Sequence, residues 1–229
     1  MTDFFSRSEA LLGEKAMEAL RQKRVIIFGV GGVGSWCAEA LIRTGLLHLT
    51  IVDDDIVQAS NVNRQLPATR ETIGCSKVEV LRERLLTINP NAEIIALQAR
   101  YTPETSCDFG LSTFDYVIDA IDCVADKTDL ILYATRVRGA KLFCSMGAAL
   151  RFDPTQVTTG ELMSVKGDAL AKAVRARMKR LDRHPSKKVR CVYSTEQAQR
   201  IETRGSLMQV TAVFGCTLAG LVIEDIRKK

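Results

Sequence analysis

No two of the seven cysteines (Cys37, Cys75, Cys107, Cys123, Cys144, Cys191 and Cys216) stand at C-x-x-C spacing. That spacing is what a structural zinc or a dithiol redox centre needs, so neither is expected, and the odd count argues against a closed disulfide framework. Thiols scattered through apolar stretches suit a reducing compartment, where most serve as small buried hydrophobes, and a cytoplasmic location follows. The amino-terminal segment from Met1 to Arg7 lacks the basic region and apolar run of an export signal. No apolar run reaches the ~20 residues that span hydrocarbon. The longest, Leu207 to Ile223, is interrupted by Gln209 and two threonines and reads as a core helix, with no membrane insertion expected. Internal repeats and low-complexity segments are also absent. Net charge is only +5, which permits a polyanionic partner without demanding one.

What remains is an ordinary globular composition, 46% hydrophobic and 26% charged over 229 residues. The length suits one large α/β domain or a domain with an appendage. A helix is expected over Glu14 to Lys23, a buried strand over Val25 to Phe28, and a helix ending near Thr44, where Gly45 supplies a stop. Further strands fall at 49–52, 93–97, 116–118 and 142–144. Helices fall at 76–88 and 124–138, the first with Ser76 and Glu79 in a capping-box pattern. Alternating strands and helices imply parallel pairing with right-handed crossovers. The expected architecture is therefore a doubly wound, mainly parallel α/β sheet with a Rossmann-like nucleotide site. After Gly147 the alternation stops, so residues 1–147 read as the nucleotide-binding part. Residues 148–229 read as an extension packed on it, with a short strand candidate (156–158), a basic helix (169–181), a strand around Cys191–Tyr193 and the final apolar helix.

The run Gly29-x-Gly31-x-x-Gly34, with Gly32 inside it, follows a strand and opens a helix. The first glycine makes the turn, the second lets a phosphate approach the backbone, and the third lets helix and strand pack closely. Free N–H groups and the helix dipole favour an anion there. Asp53, 24 residues after Gly29, is placed to accept from ribose hydroxyls. These features alone fit a dinucleotide as well as ATP. The polar set that follows tips the choice: Asp55, Asn61, Arg64, Gln65 and Lys77 crowd beside one phosphate loop. Arg64 can grip phosphate oxygens with a bidentate fork, and Lys77 adds a compact charge. Asp119 and Asp122 close the next strand and are expected to face the ligand, where a carboxylate can hold Mg²⁺. From Lys172 to Arg190 there are nine basic residues, Lys172, Arg175, Arg177, Lys179, Arg180, Arg183, Lys187, Lys188 and Arg190, against the single acid Asp182. Such a stripe suits phosphate neutralisation.

The order G-x-G-G-V-G-S, D-x-D at Asp53, N-x-x-R-Q at Asn61 to Gln65, Lys77 and D-x-x-D at Asp119 resembles the ubiquitin-activating superfamily. That group includes the adenylating enzymes of molybdopterin and thiamine synthesis. The resemblance implies that Asp53 binds ribose, that Asn61, Arg64 and Lys77 hold phosphates, and that Asp122 coordinates magnesium. Arg7 matches an arginine extended into a partner subunit's site, which implies a homodimer. Two departures stand out: the paired C-x-x-C motifs of sulfur-carrier enzymes are missing, and no domain carries an obvious catalytic cysteine. Phe5-Ser6-Arg7, Gly13 to Ala16, Asp153-Pro154-Thr155 and Cys191 to Glu196 are similar to the tRNA threonylcarbamoyladenosine dehydratase branch. That likeness implies a tRNA substrate, ATP with Mg²⁺, and activation of the threonyl carboxylate as an acyl adenylate. It leaves open a monovalent cation (Na⁺ or K⁺) near Gly147 and sulfur-transfer partner proteins. Lys188 and Arg190 could favour a Cys191 thiolate, against a purely structural strand position. The alternatives are adenylation of a ubiquitin-like sulfur carrier, a nucleotide sensor, and an NAD-dependent dehydrogenase.

Overall fold

Val25, Ile26, Ile27 and Phe28 are all shut off from water. An apolar run with no alternation belongs in the middle of a sheet covered on both faces. In the computed structural model, which describes residues 4–199, 201–202 and 205–228, β1 (Arg24–Phe28) lies between β2 (His48–Val52) and β4 (Tyr116–Asp119). With β3 (Glu93–Leu97), β5 (Lys141–Ser145), β6 (Val157–Glu161) and β7 (Arg190–Ser194) they form one seven-stranded sheet in the order β3-β2-β1-β4-β5-β7-β6. Every pairing is parallel except the edge pair β6–β7.

Helices cover both faces. On one side α2 (Glu14–Arg21), α3 (Gly34–Thr44), α4 (Lys77–Ile88) and α7 (Met208–Arg227) bury Met17, Leu41, Leu81 and Phe214 against Val25, Ile27 and Ile51. On the other, α5 (Val124–Ala134) and α6 (Ala169–Arg180) bury Leu130, Ile131, Val174 and Met178 against Ile26, Phe28 and Val117. The strand order reverses between β1 and β4, and the carboxyl ends there open a crevice, the expected ligand position of a doubly wound fold.

The sequence expectations for β1 to β5 hold to within one residue at either end, and the carboxyl-terminal segment departs from them more. Strand β7 inserts between β5 and β6, so residues beyond 148 complete the same sheet. Helix α1 (Ser6–Leu12) buries none of its residues, and so has no apolar stripe to read. The capping box at Ser76 does not form: its hydroxyl is buried without a partner, and Glu79 pairs with Arg82 at 2.7 Å. Helix α7 is long and apolar enough to cross a membrane by composition, yet more than half of it is buried against α3 and the sheet. Part of the amino-terminal segment read for an export signal, residues 1–3, lies outside the described residues.

Candidate active site

The phosphate loop is shaped by contacts that exclude side chains. Gly29 has φ +85°, and a Cβ there would stand 2.9 Å from the Ala120 carbonyl oxygen. At Gly34 it would stand 1.8 Å from the Gly29 carbonyl oxygen, so α3 starts against the end of β1 only because Gly34 has no side chain. Around Gly31 a Cβ meets nothing closer than 3.6 Å, leaving free space over the loop. Asp53, just past β2, accepts from Val30 N at 2.8 Å through one oxygen and from Asp55 N at 3.0 Å through the other. Asp53 thus braces the loop, a role the sequence reading did not assign it. Burial pushes its carboxyl above the usual carboxylate range, against the pull of Lys77 and of the two N–H groups.

This loop forms one end of a cleft of about 590 Å³, within the size range of small-molecule sites. Gly29, Gly31, Gly32, Asp53, Asp55, Asn61, Arg64, Gln65, Lys77 and Asp122 all line it, so the structure gathers nearly the whole sequence-derived set. Lys77, the first residue of α4, is 4% exposed and forms a 2.7 Å ion pair with Asp55. Asn61 is buried and accepts from Gln58 N. The Arg64 guanidinium rests on Ser60 O and Asn63 Oδ1, and Trp36 Nε1 donates to Arg64 O. Gln65 presents a buried carbonyl oxygen with no partner among the described residues. Asp122 is exposed on the cleft wall, and its carboxylate has no partner among the described residues either. A free carboxylate suits a hard cation bound mainly through water and phosphate oxygens.

Three expectations require correction. Asp119 does not face the cleft. It is fully buried, paired with Lys127 at 2.7 Å, and braces the turn by accepting from Ile121 N at 3.1 Å. Burial raises its pKa against the opposing charge of Lys127. Cys191 is not a thiolate candidate: burial pushes its thiol up to about 12, and its sulfur reaches only Gly160 O. The basic stripe is not continuous. Lys172, Lys179, Arg180, Lys187 and Lys188 are exposed, while Arg175, Arg177 and Arg183 are half-buried. Arg175 donates to Leu162 O, and Lys187 to Val137 O. Arg190 points to the opposite face of the sheet from α6, where it pairs with Glu224 of α7 at 3.4 Å. Arg7 lies exposed on α1 and is not among the residues lining the cleft of its own chain.

Sequence reading missed the far end of the cleft, formed by Met146 to Arg151 after β5 and by Asp168 to Leu170 at the start of α6. It also missed Arg100, which lines the cleft and pairs with Asp126 at 2.8 Å. The only signal was position, since the segment from Met146 follows the carboxyl end of a parallel strand.

A phosphate loop, a braced acidic residue after β2 and a polar cleft at the strand-order reversal define a nucleotide-binding α/β protein. The chain belongs to the ThiF family, whose sequence model matches residues 5–229. It is 42% identical over 176 residues to the tRNA threonylcarbamoyladenosine dehydratase of Bacillus subtilis, covering 77% of this chain and 69% of that protein. With the Escherichia coli enzyme of that name it shares 36% identity over 213 residues, 91% of this chain and 79% of that one. The crystal structure of the E. coli dehydratase TcdA with ATP superposes with a TM-score of 0.91, covering 97% of this chain and 93% of that one.

Proposed function

We propose that this chain is an ATP-dependent tRNA threonylcarbamoyladenosine dehydratase. The observation that carries the reading is the cleft itself, with a phosphate loop and Lys77 at one end, an unpaired Asp122 on its wall, and the start of the basic helix at the other. The similarity to the E. coli dehydratase extends over almost the whole chain. That to the ThiS adenylyltransferase of E. coli covers 56% of it. Catalytic roles fall to Arg64, Lys77, Asp122 and, from a second subunit of a homodimer, Arg7. Lys172, Lys179, Arg180 and the neighbouring basic residues bind tRNA phosphates. Residues 148–229 supply these RNA contacts and dimer contacts to the same domain, which works in the cytoplasm.

A threonyl carboxylate is a poor electrophile at neutral pH. Attack of its oxygen on the α-phosphorus of ATP forms an acyl adenylate and releases pyrophosphate. A nucleophile of the same modified base then attacks the acyl carbon, closing a ring and expelling AMP with the former carboxylate oxygen, for a net loss of water. The intramolecular nucleophile has a high effective molarity, so no covalent enzyme intermediate is needed. Arg64, Lys77 and the amides of the phosphate loop stabilise charge spreading over the phosphates. Asp122 would hold Mg²⁺, which neutralises phosphate charge. Mass spectrometry of nucleosides from tRNA incubated with protein, ATP and Mg²⁺ tests the reading. The expected product is lighter by one water than the threonylcarbamoyl nucleoside, and its absence, with pyrophosphate release stimulated instead by a small carrier protein, refutes it.

A further inference from the structure

The far wall of the cleft is held by a charge pair that no step above uses. Arg151 and Asp168 are each 3% exposed and meet at 2.9 Å. The remaining donors of Arg151 are all spent on backbone: Nε donates to Gly147 O at 2.9 Å, and Nη1 donates to Ser194 O at 3.3 Å and to Glu196 O. Asp168 is as fully used. One oxygen caps α6 by accepting from Ala171 N at 2.8 Å, while the other accepts from Gly147 N at 3.1 Å and from Arg151. Between the two residues runs segment 147–151, and within it Leu150 takes a left-handed conformation, φ +63°. A leucine stays there only where its surroundings over-determine it. Here the surroundings are the pair itself and two backbone hydrogen bonds, Leu150 N to Gly205 O and Gln199 N to Leu150 O.

A segment in a sparsely populated conformation, fixed by buried charges and lining a ligand cleft opposite the phosphate loop, is pre-organised to place a second substrate group. Because Asp168 also caps the basic helix, the surface offered to RNA and the wall of the cleft share one carboxylate. Building on the dehydratase reading, we propose that Arg151 and Asp168 are positioning residues that set segment 147–151 to orient the acyl-bearing nucleoside against the α-phosphate. They touch neither reacting atom and act on turnover more than on binding.

Two variants test this. Asp168→Asn can still cap α6 through its carbonyl oxygen, but its amide then faces two other donors, Gly147 N and Arg151. Arg151→Lys keeps the charge balance, yet one ammonium cannot serve three carbonyls and a carboxylate. Both are expected to lower kcat for tRNA dehydration by roughly 10- to 100-fold, the cost of a small misplacement of reacting groups. The KM for tRNA and the Kd for ATP should stay within about twofold. Amide exchange should rise in peptide 146–152 and not in peptide 29–34. Wild-type kcat in both variants, unchanged exchange in 146–152, or ATP affinity falling in step with kcat would each overturn the assignment. The wild-type control separates the two readings: if it does not dehydrate tRNA, the dehydratase reading itself fails.

Discussion

Asp119 and Lys127 place opposite charges side by side at a depth water does not reach, both fully buried. Such a pair gains little net stability over a well-packed apolar pair, but breaking it strands a charge. Asp119→Ala should therefore destabilise the fold by about 3–5 kcal/mol, measured by urea unfolding. The double replacement Asp119→Leu with Lys127→Met should cost clearly less. Which of two aspartates in Asp119-x-x-Asp122 would be structural was not legible from the sequence. The partner Lys127 lies a full helical turn into α5, and only the fold shows that its side chain turns back beneath the strand. For the glycines the sequence was sufficient, because the demands on Gly29 and Gly34 are set by neighbouring backbone within the same strand–loop–helix unit. Cys191 shows the opposite failure. Basic neighbours in sequence implied a lowered pKa, but alternate residues of a strand face opposite sides, which put the thiol in the core.

At the scale of elements, α7 seats on α3 through Gly215, where a Cβ would lie 2.4 Å from the Val33 carbonyl oxygen and 2.7 Å from Trp36 Cβ. Gly215→Ala has to push α7 outward or displace the start of α3, which carries the phosphate loop. A loss of about 1–3 kcal/mol together with weaker ATP binding by calorimetry is expected. Helices α3 and α4 are tied by Glu39, which accepts from Arg84 at 2.6 Å and Arg43 at 2.8 Å. Burial works to raise its pKa, but the two guanidiniums outweigh it and the net shift is downward. A depressed folded-state pKa contributes stability above the ordinary carboxylate value, which is lost as pH falls through the folded-state value. Glu39→Gln should cost roughly 1–2 kcal/mol at neutral pH, the guanidiniums being half-exposed. It should also flatten the acid side of the pH–stability profile followed by denaturant titration. The division of the basic residues between the two sheet faces gives a further test. Lys179→Ala and Arg180→Ala should each lower the slope of log K for tRNA against log salt by about 1. Arg190→Ala should leave it unchanged. Composition made the basic helix visible, but the count ran on through β7 because charge along a sequence does not show which face of a sheet it joins.

For the whole molecule, the site is incomplete in one chain if Arg7 belongs to it, since α1 holds that residue outside its own cleft. Arg7→Ala and Asp122→Ala subunits, each inactive alone, should regain part of the wild-type turnover when mixed and allowed to exchange; no recovery would assign Arg7 another role. The sheet's parallel core was legible because β1 to β5 alternate with helices. The insertion of β7 between β5 and β6 was not, because chain order carries no trace of lateral strand order once a long excursion intervenes. The consequence for the site is large, as β7 delivers the Ser194 and Glu196 carbonyls that grip Arg151.

Lys77 enters this picture already neutralised by Asp55 inside a closed wall. An incoming triphosphate therefore finds no bare cation to capture and has to take the ammonium over from a resident carboxylate. Affinity then measures the difference between two partners, and a monoanion offering no more charge than Asp55 has little with which to compete. The cleft discriminates among anions by making each one bid against a competitor fixed in place.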